Sequence, residues 1–274
     1  MSKPIIKWAG GKRRIAKTIL SHFPEGYQRY HEPFLGGASV LLAQDIEEDK
    51  EYILSDINRD LINLYDQVKK NPREVYEEVI QLSINKDTYM TLRAMDRNDQ
   101  WEVYPALAKA ARFLYLNKCG FNGLWRVNSQ GYNNVPWGKK NPNFAVTTLE
   151  ELEKFSQHIQ KATLECKQYS DRDYLPSEAD FYYLDPPYIP LNPTSNFTAY
   201  TKEGFNSESQ IELRNFCDSL TECGAKFLQS NSDTPTTREL YKKYQIIPIQ
   251  VARTISADAT KRNSVGEVLI KNYD

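Results

Sequence analysis

The stretch FYYLDPPYIP, residues 181–190, ends an aromatic, apolar run in an acid, two prolines and a tyrosine. Phe181 to Leu184 have the character of a short buried strand. Proline cannot continue a sheet ladder, and the residue before a proline is pushed toward extended backbone. Asp185 is therefore expected at the strand's carboxyl end, with two stiff peptide units after it. The corner would offer a carboxylate, fixed carbonyl acceptors at Pro186 and Pro187, and the Tyr188 ring. Carboxyl ends of strands are where open α/β sheets bind ligands. The plain alternative is a proline-rich turn with Tyr188 packed on the surface.

A second constellation lies upstream. In EPFLGGAS (32–39) the glycines follow a strand and are expected to open a helix, a geometry that brings backbone close to a ligand. Twenty residues beyond Gly36, Asp56 ends the next strand, where an acid can accept hydrogen bonds from ribose hydroxyls. The alternative is a structural turn with Asp56 as a helix cap. G-x-G-x-x-G is absent, and AGGKRR (9–14) lacks the pattern of a phosphate-binding loop. A nucleoside-containing ligand without an essential triphosphate fits these features. KWAGGK (7–12) adds Trp8 and Lys12 beside two glycines, suited to a nucleoside with a carboxylate-bearing tail or to a tight turn with a packed indole.

The bulk numbers bound the setting. With 274 residues, 40% hydrophobic and 26% charged, the chain suits one large domain or two small ones. No apolar run is long enough to span a bilayer, and the start carries no signal-peptide core. Cys119, Cys166, Cys217 and Cys223 form no metal-binding or redox pattern, so reduced thiols in a cytoplasmic protein, and no metal, are expected. The net charge of −1 argues against nucleic acid, but its distribution does not. Residues 1–20 and 103–149 each carry six basic side chains, the second set being Lys109, Arg112, Lys118, Arg126, Lys139 and Lys140; acids crowd into DIEEDKE (45–51) and TTLEELEKF (147–155). Basic stretches can line one face for a polyanion.

Strands are expected at 29–34, 50–56, 162–169 and 181–185, and again in AKFLQS, YQIIPIQVART and GEVLIKNY. A helix start is expected at SVLLAQDI (39–46). Helical segments fill Asp60 to about Lys118, and SESQIELRNFCDSLTECG (207–224) forms another with a glycine stop. CGFNGLWRVNSQGYNNVPWGKKNP (119–142) carries hairpin signals. An α/β domain with an α-rich insertion follows.

KWAGGK, EPFLGG, SDIN and DPPY, in that order, resemble DNA adenine methyltransferases of the Dam type, the α-group order of amino-methyltransferases. FNGLWRVNSQGYNNVPWG looks like that family's target-recognition hairpin, and TSNFTAY (194–200) resembles the segment after its catalytic motif. The likeness runs over about residues 5–273. It implies a Rossmann-like S-adenosylmethionine-dependent fold: a discontinuous catalytic domain, 1–57 and 162–274, and a mostly helical target-recognition domain, 58–161, with its hairpin at about 119–138. It implies S-adenosyl-L-methionine as methyl donor and the exocyclic amine of adenine in double-stranded DNA, usually within GATC, as acceptor. Trp8, Lys12, Asp56 and Asp185 match cofactor-contacting positions, with Phe34 and Gly36 on the cofactor wall. Asp185, Pro186 and Tyr188 match the catalytic motif. Lys7, Asn122, Leu124, Arg126 and Pro136 match positions that read the target, Phe121 an aromatic that enters the duplex, and Lys139 a phosphate contact. A monomer in a bacterial or phage-infected cell is expected. Two departures stand out: Ala38 replaces a glycine of F-x-G-x-G, expected to narrow the cofactor pocket slightly, and Phe121 replaces a tyrosine.

The chemistry explains the corner. Adenine's amine lone pair is delocalised into the ring. An acceptor on each N–H, Asp185 and the Pro186 carbonyl, would pull the nitrogen toward tetrahedral geometry. The base must leave the duplex first, and Tyr188 would stack on it. Rival readings are a methyltransferase of RNA or of cytosine amine, a relative that binds DNA without catalysis, and a dinucleotide oxidoreductase.

Overall fold

In a computed structural model of the chain, the described residues are 3–171, 175–188, 205–249 and 266–274. TSNFTAY and the end of the segment expected as strand YQIIPIQVART (244–254) lie outside them. Seven strands form one sheet: β1 (Arg29–Glu32), β2 (Glu51–Asp56), β3 (Ala162–Cys166), β4 (Asp180–Leu184), β5 (Lys226–Ser232), β6 (Gln245–Ile249) and β7 (Glu267–Lys271). Their order is β3-β2-β1-β4-β5-β7-β6. The first five are parallel, while β7 runs antiparallel between β5 and β6. The chain leaves β1 toward β2 on one side, and β4 lies on the other, which makes the crevice between β1 and β4 the topological switch point. β4 is buried at every position, which is why DFYYL carries no polar alternation.

Between β2 and β3 run five helices: α2 (Arg59–Lys70), α3 (Pro72–Ile80), α4 (Lys86–Ala94), α5 (Ala106–Cys119) and α6 (Leu149–Ile159). Asn58 caps α2 through its side chain, which accepts the Leu61 N–H at 3.0 Å. Pro72 opens α3 at its first turn, where its missing N–H costs nothing. Tyr65 of α2, Val75 of α3, Tyr89 of α4, Phe113 of α5 and Phe155 of α6 join the same hydrophobic cluster as Tyr30, Leu54 and Tyr183 of the sheet. The helices therefore share a core with the sheet on one face. On the other face α7 (Ser207–Glu222) packs Leu213, Phe216 and Leu220 against Tyr182, Leu184 and Phe227. Two short helices, α1 (Ala16–Leu20) and α8 (Pro235–Leu240), have no distinct periodic signal because they are barely more than one turn long.

One expectation fails here. No α-helix follows the glycine turn; a single 3-10 turn spans Leu41–Ala43, and Gln44 is already extended. The acids Asp45, Glu47, Glu48 and Asp49 that follow would sit at the negative carboxyl end of any helix prolonged from this turn. No helix among the described residues is long and apolar enough to cross a membrane. All four cysteines are free thiols, Cys119 and Cys217 buried and Cys166 exposed.

Candidate active site

A cavity of about 510 Å³ opens at the carboxyl ends of β1, β2 and β4. Its wall includes Trp8, Lys12, Phe34, Gly36, Asp56, Asp185, Pro186 and Tyr188, so the residues expected to hold a cofactor and those expected to act on the substrate meet in one space.

The glycine turn supplies one wall. Gly36 has φ +45, and a Cβ there would lie 2.7 Å from Trp8 Cδ1 and 2.8 Å from Nε1. The indole thus closes over the turn only because position 36 has no side chain. Asp56 locks the turn: Oδ2 accepts the Gly36 N–H at 3.0 Å and Oδ1 accepts the Asn58 N–H at 2.9 Å. Asp56 is thus no helix cap; Asn58 is. Burial pushes the Asp56 carboxyl up to about 6, against the pull of those two N–H groups. Tyr65 Oη donates to the Gly36 carbonyl at 2.7 Å. Ala38 does not narrow the cavity. It is fully buried in the core, absent from the cavity wall, and sits at φ +55. The departure from glycine falls on the backbone, where a left-handed L-residue costs about 1–2 kcal/mol.

The proline corner forms another part of the wall. Lys12, 5% exposed, reaches Asp185 Oδ1 at 2.9 Å and donates to the Gly10 carbonyl at 2.7 Å. Burial raises the Asp185 carboxyl; the Lys12 ammonium opposes it, and Glu267 adds to the rise. Lys12 also stands 4.5 Å from the centre of the Tyr188 ring. Tyr188 Oη donates to Glu267 Oε2 at 2.9 Å, and Gln210 Nε2 of α7 donates to the Pro187 carbonyl at 2.9 Å. Phe34 stacks on Tyr169, ring centres 5.2 Å apart, and meets Phe205 edge-on.

Several of these residues carry no local signal. Glu32 was visible only as the letter before PF; it is 2% exposed, lines the cavity floor and accepts from Tyr30 Oη at 2.8 Å. Burial pushes its carboxyl up to about 8. Tyr169, Glu212, Gln210 and Glu267 come from distant segments and reach the site through sheet register and helix packing. Four acids, Glu32, Asp56, Asp185 and Glu212, face the cavity against two lysines, Lys12 and Lys167.

The target-reading candidates lie elsewhere, on the segment after α5. Phe121 N–H bonds the Pro136 carbonyl and Asn134 N–H the Arg126 carbonyl, with bridges Gly120–Trp137 and Val127–Asn133. Phe121 is 51% exposed, a large apolar ring turned to solvent. Asn122 (φ +55) and Lys139 (φ +53) are exposed in left-handed backbone, and Pro136 and Arg126 are exposed as well. Arg126 Nε donates to Asn134 Oδ1 at 2.7 Å. Leu124 is half-buried. Lys7, from the chain's start, lays its stem against Gly123 in the same loop. The return arm is pinned from α4 and the turn after it, where Tyr89 and Arg93 donate to the Val135 carbonyl and Arg97 to that of Asn133.

The sheet is parallel with one antiparallel strand set between its last two, and the cavity sits at its switch point, the arrangement expected of an α/β methyltransferase. The chain belongs to the D12 class of N6 adenine-specific DNA methyltransferases, whose family profile matches residues 8–255. It is 37% identical over 277 residues to the Type II methyltransferase M1.LlaDCHI of Lactococcus lactis subsp. cremoris, covering 99% of this chain and 95% of that protein. It is also 37% identical to the DNA adenine methylase of Escherichia coli (98% and 94% covered) and 36% identical to the Type II methyltransferase M.MjaIII of Methanocaldococcus jannaschii (99% of each). The protein is an adenine-specific DNA methyltransferase of the Dam kind.

Proposed function

We propose that the enzyme transfers a methyl group from S-adenosyl-L-methionine to the N6 amine of an adenine flipped out of duplex DNA, within GATC. The observation that carries the reading is the Asp185-Pro186-Pro187-Tyr188 corner standing in the wall of the acid-rich cavity, its carboxylate paired with Lys12.

The donor fits the residues present. Trp8 and Phe34 offer aromatic walls, and Asp56 an acceptor for ribose hydroxyls. Bound there, the donor supplies an electrophilic methyl on a sulfonium. The rest of the chemistry belongs to the chain. The Asp185 oxygen turned away from Lys12 accepts one amine N–H, and the Pro186 carbonyl accepts the other. The Pro187 carbonyl accepts from Gln210, a bond that braces the corner beside Pro186. Two acceptors held by proline rings need no reorganisation when positive charge develops on nitrogen. Tyr188 stacks on the extruded base, worth about 1–3 kcal/mol, against the few kcal/mol that flipping costs.

Recognition is assigned to the exposed residues of the paired loop. The terminal nitrogens of Arg126 suit guanine O6 and N7, Leu124 a thymine methyl, and Phe121 the gap left in the stack. Lys7, Asn122 and Pro136 complete the reading surface, with Lys139 on phosphate. We place the recognition unit in the block 58–161.

The test is methyl transfer from labelled S-adenosylmethionine to three short duplexes: GATC, a permuted site, and GATC methylated on both strands. Label in the first alone, recovered as N6-methyladenine, supports the reading. Equal label in both unmethylated duplexes removes GATC, and label on cytosine or in none removes the reaction.

A further inference from the structure

One face of α5 joins the cavity to the paired loop. Phe113 and Asn117 lie four residues apart and so share a side of the helix. Asn117 is fully buried. Its Oδ1 accepts the Lys7 N–H at 2.9 Å; its Nδ2 donates to the Lys7 carbonyl at 2.7 Å and to the Gly123 carbonyl at 3.2 Å. A single amide thus holds both main-chain groups of Lys7 and the turn that presents Phe121, Asn122 and Leu124. Phe113 repeats the link in apolar form, its ring centre 3.9 Å from that of Trp125 and 6.4 Å from that of Trp8. Gly123, at φ +66, completes the junction, since a Cβ there would strike the Lys7 stem.

Lys7 begins the strip that passes Trp8, against the glycine turn, and ends at Lys12, against Asp185. The turn and the catalytic corner are therefore connected through six residues of chain, Lys7 to Lys12, and one buried side chain. Nothing in the chemistry of methyl transfer requires an asparagine at 117. A buried amide with its oxygen and nitrogen both engaged fixes geometry closely, because leaving any of these groups unpaired is costly.

We propose that Asn117 is a positioning residue for specificity. It sets the register between the turn 121–124 and the strip 7–12, so that only a duplex seated correctly on the turn brings its adenine to Asp185 and Pro186. The inference rests on the reading that this turn faces DNA. Misplacement by about 1 Å at a reacting centre can cost 100-fold in rate, so loss of register should erode the advantage of the correct site.

The experiment compares kcat/KM of the full chain on a GATC duplex with that on duplexes altered at one base pair, for wild type, Asn117→Ala and Gly123→Ala. The ratio is unaffected by the fraction of protein that is folded, so a merely structural role does not move it. Gly123→Ala disturbs the same junction while leaving the buried amide in place, and carries the test if Asn117→Ala does not fold. The expected result is a discrimination ratio lowered at least about tenfold in both variants, with affinity for S-adenosylhomocysteine within about threefold of wild type. An unchanged ratio, whether it comes with a lower melting temperature or with a uniform fall in kcat/KM, overturns the proposal. Wild type that shows no preference among the duplexes overturns it together with the GATC reading, and is recognised because the unmodified protein itself fails.

Discussion

Lys12 Nζ stands 2.9 Å from Asp185 Oδ1 and 4.5 Å from the centre of the Tyr188 ring, so one buried ammonium touches both the acid and the aromatic of the corner. Burial favours the neutral acid at Asp185, and Lys12 works against that burial. Replacing Lys12 by Met should raise the Asp185 pKa. The acid limb of the single-turnover rate should then move to higher pH, with a larger loss at pH 6 than at pH 8. A limb that stays in place at saturating cofactor would show that Lys12 does not hold the carboxylate ionised.

Tyr188 has two separable attributes, a ring and a hydroxyl bonded to Glu267. Tyr188→Phe keeps the ring and should stay within about tenfold of wild type, the worth of one hydrogen bond. Tyr188→Ala should lose a further 1–3 kcal/mol or so of base stacking. 2-Aminopurine at the target position reports extrusion directly. It should brighten with wild type and Tyr188→Phe and much less with Tyr188→Ala; equal brightening in all three would remove Tyr188 from base holding.

Arg126 is exposed, with Nε engaged by Asn134 Oδ1. Arg126→Ala should cost about 1–3 kcal/mol of discrimination at one guanine and less in overall DNA affinity. Competition binding against duplexes substituted at each position decides. A uniform loss with unchanged base preference would place Arg126 on a phosphate.

Glu32 gives a pH test of the cavity floor. Burial raises its folded pKa to about 8, above the unfolded value. The native state therefore holds this proton more tightly. The associated stability is fully present below the unfolded pKa and is lost as pH rises through about 8. Glu32→Gln keeps an acceptor for Tyr30 and removes the charge. The melting temperature of the variant relative to wild type should climb between pH 5 and 8, by about 2–4 °C per kcal/mol. A constant difference across that range would show that Glu32 does not titrate there.

The parts of the site carried by consecutive residues were legible in the sequence. Asp185 to Tyr188 announce their strand end through proline geometry, and Gly36 with Asp56 announce adjacent strand ends through their spacing. The helix expected after Gly37 was not realised, because the run Asp45–Asp49 opposes a helix end. Nor does Ala38 act on the cavity, since its methyl points into the core. Glu32, Gln210, Glu267 and Asn117 were illegible as site residues for a different reason. Gln210 meets Pro187 across 23 residues, Tyr188 meets Glu267 across 79, and Asn117 meets Lys7 across 110; such pairings depend on register and packing, which no local pattern encodes.

In the proposed mechanism the proline corner delivers an adenine amine to a methyl donor. The most direct measurement is single-turnover methylation of a GATC duplex by wild type and Asp185→Ala, with DNA binding and melting temperature measured on the same preparations. Wild type should yield N6-methyladenine and the variant at least about 100-fold less, the scale of removing one preorganised group, with the fold and duplex binding retained. Methylation by Asp185→Ala at the wild-type rate would contradict this mechanism.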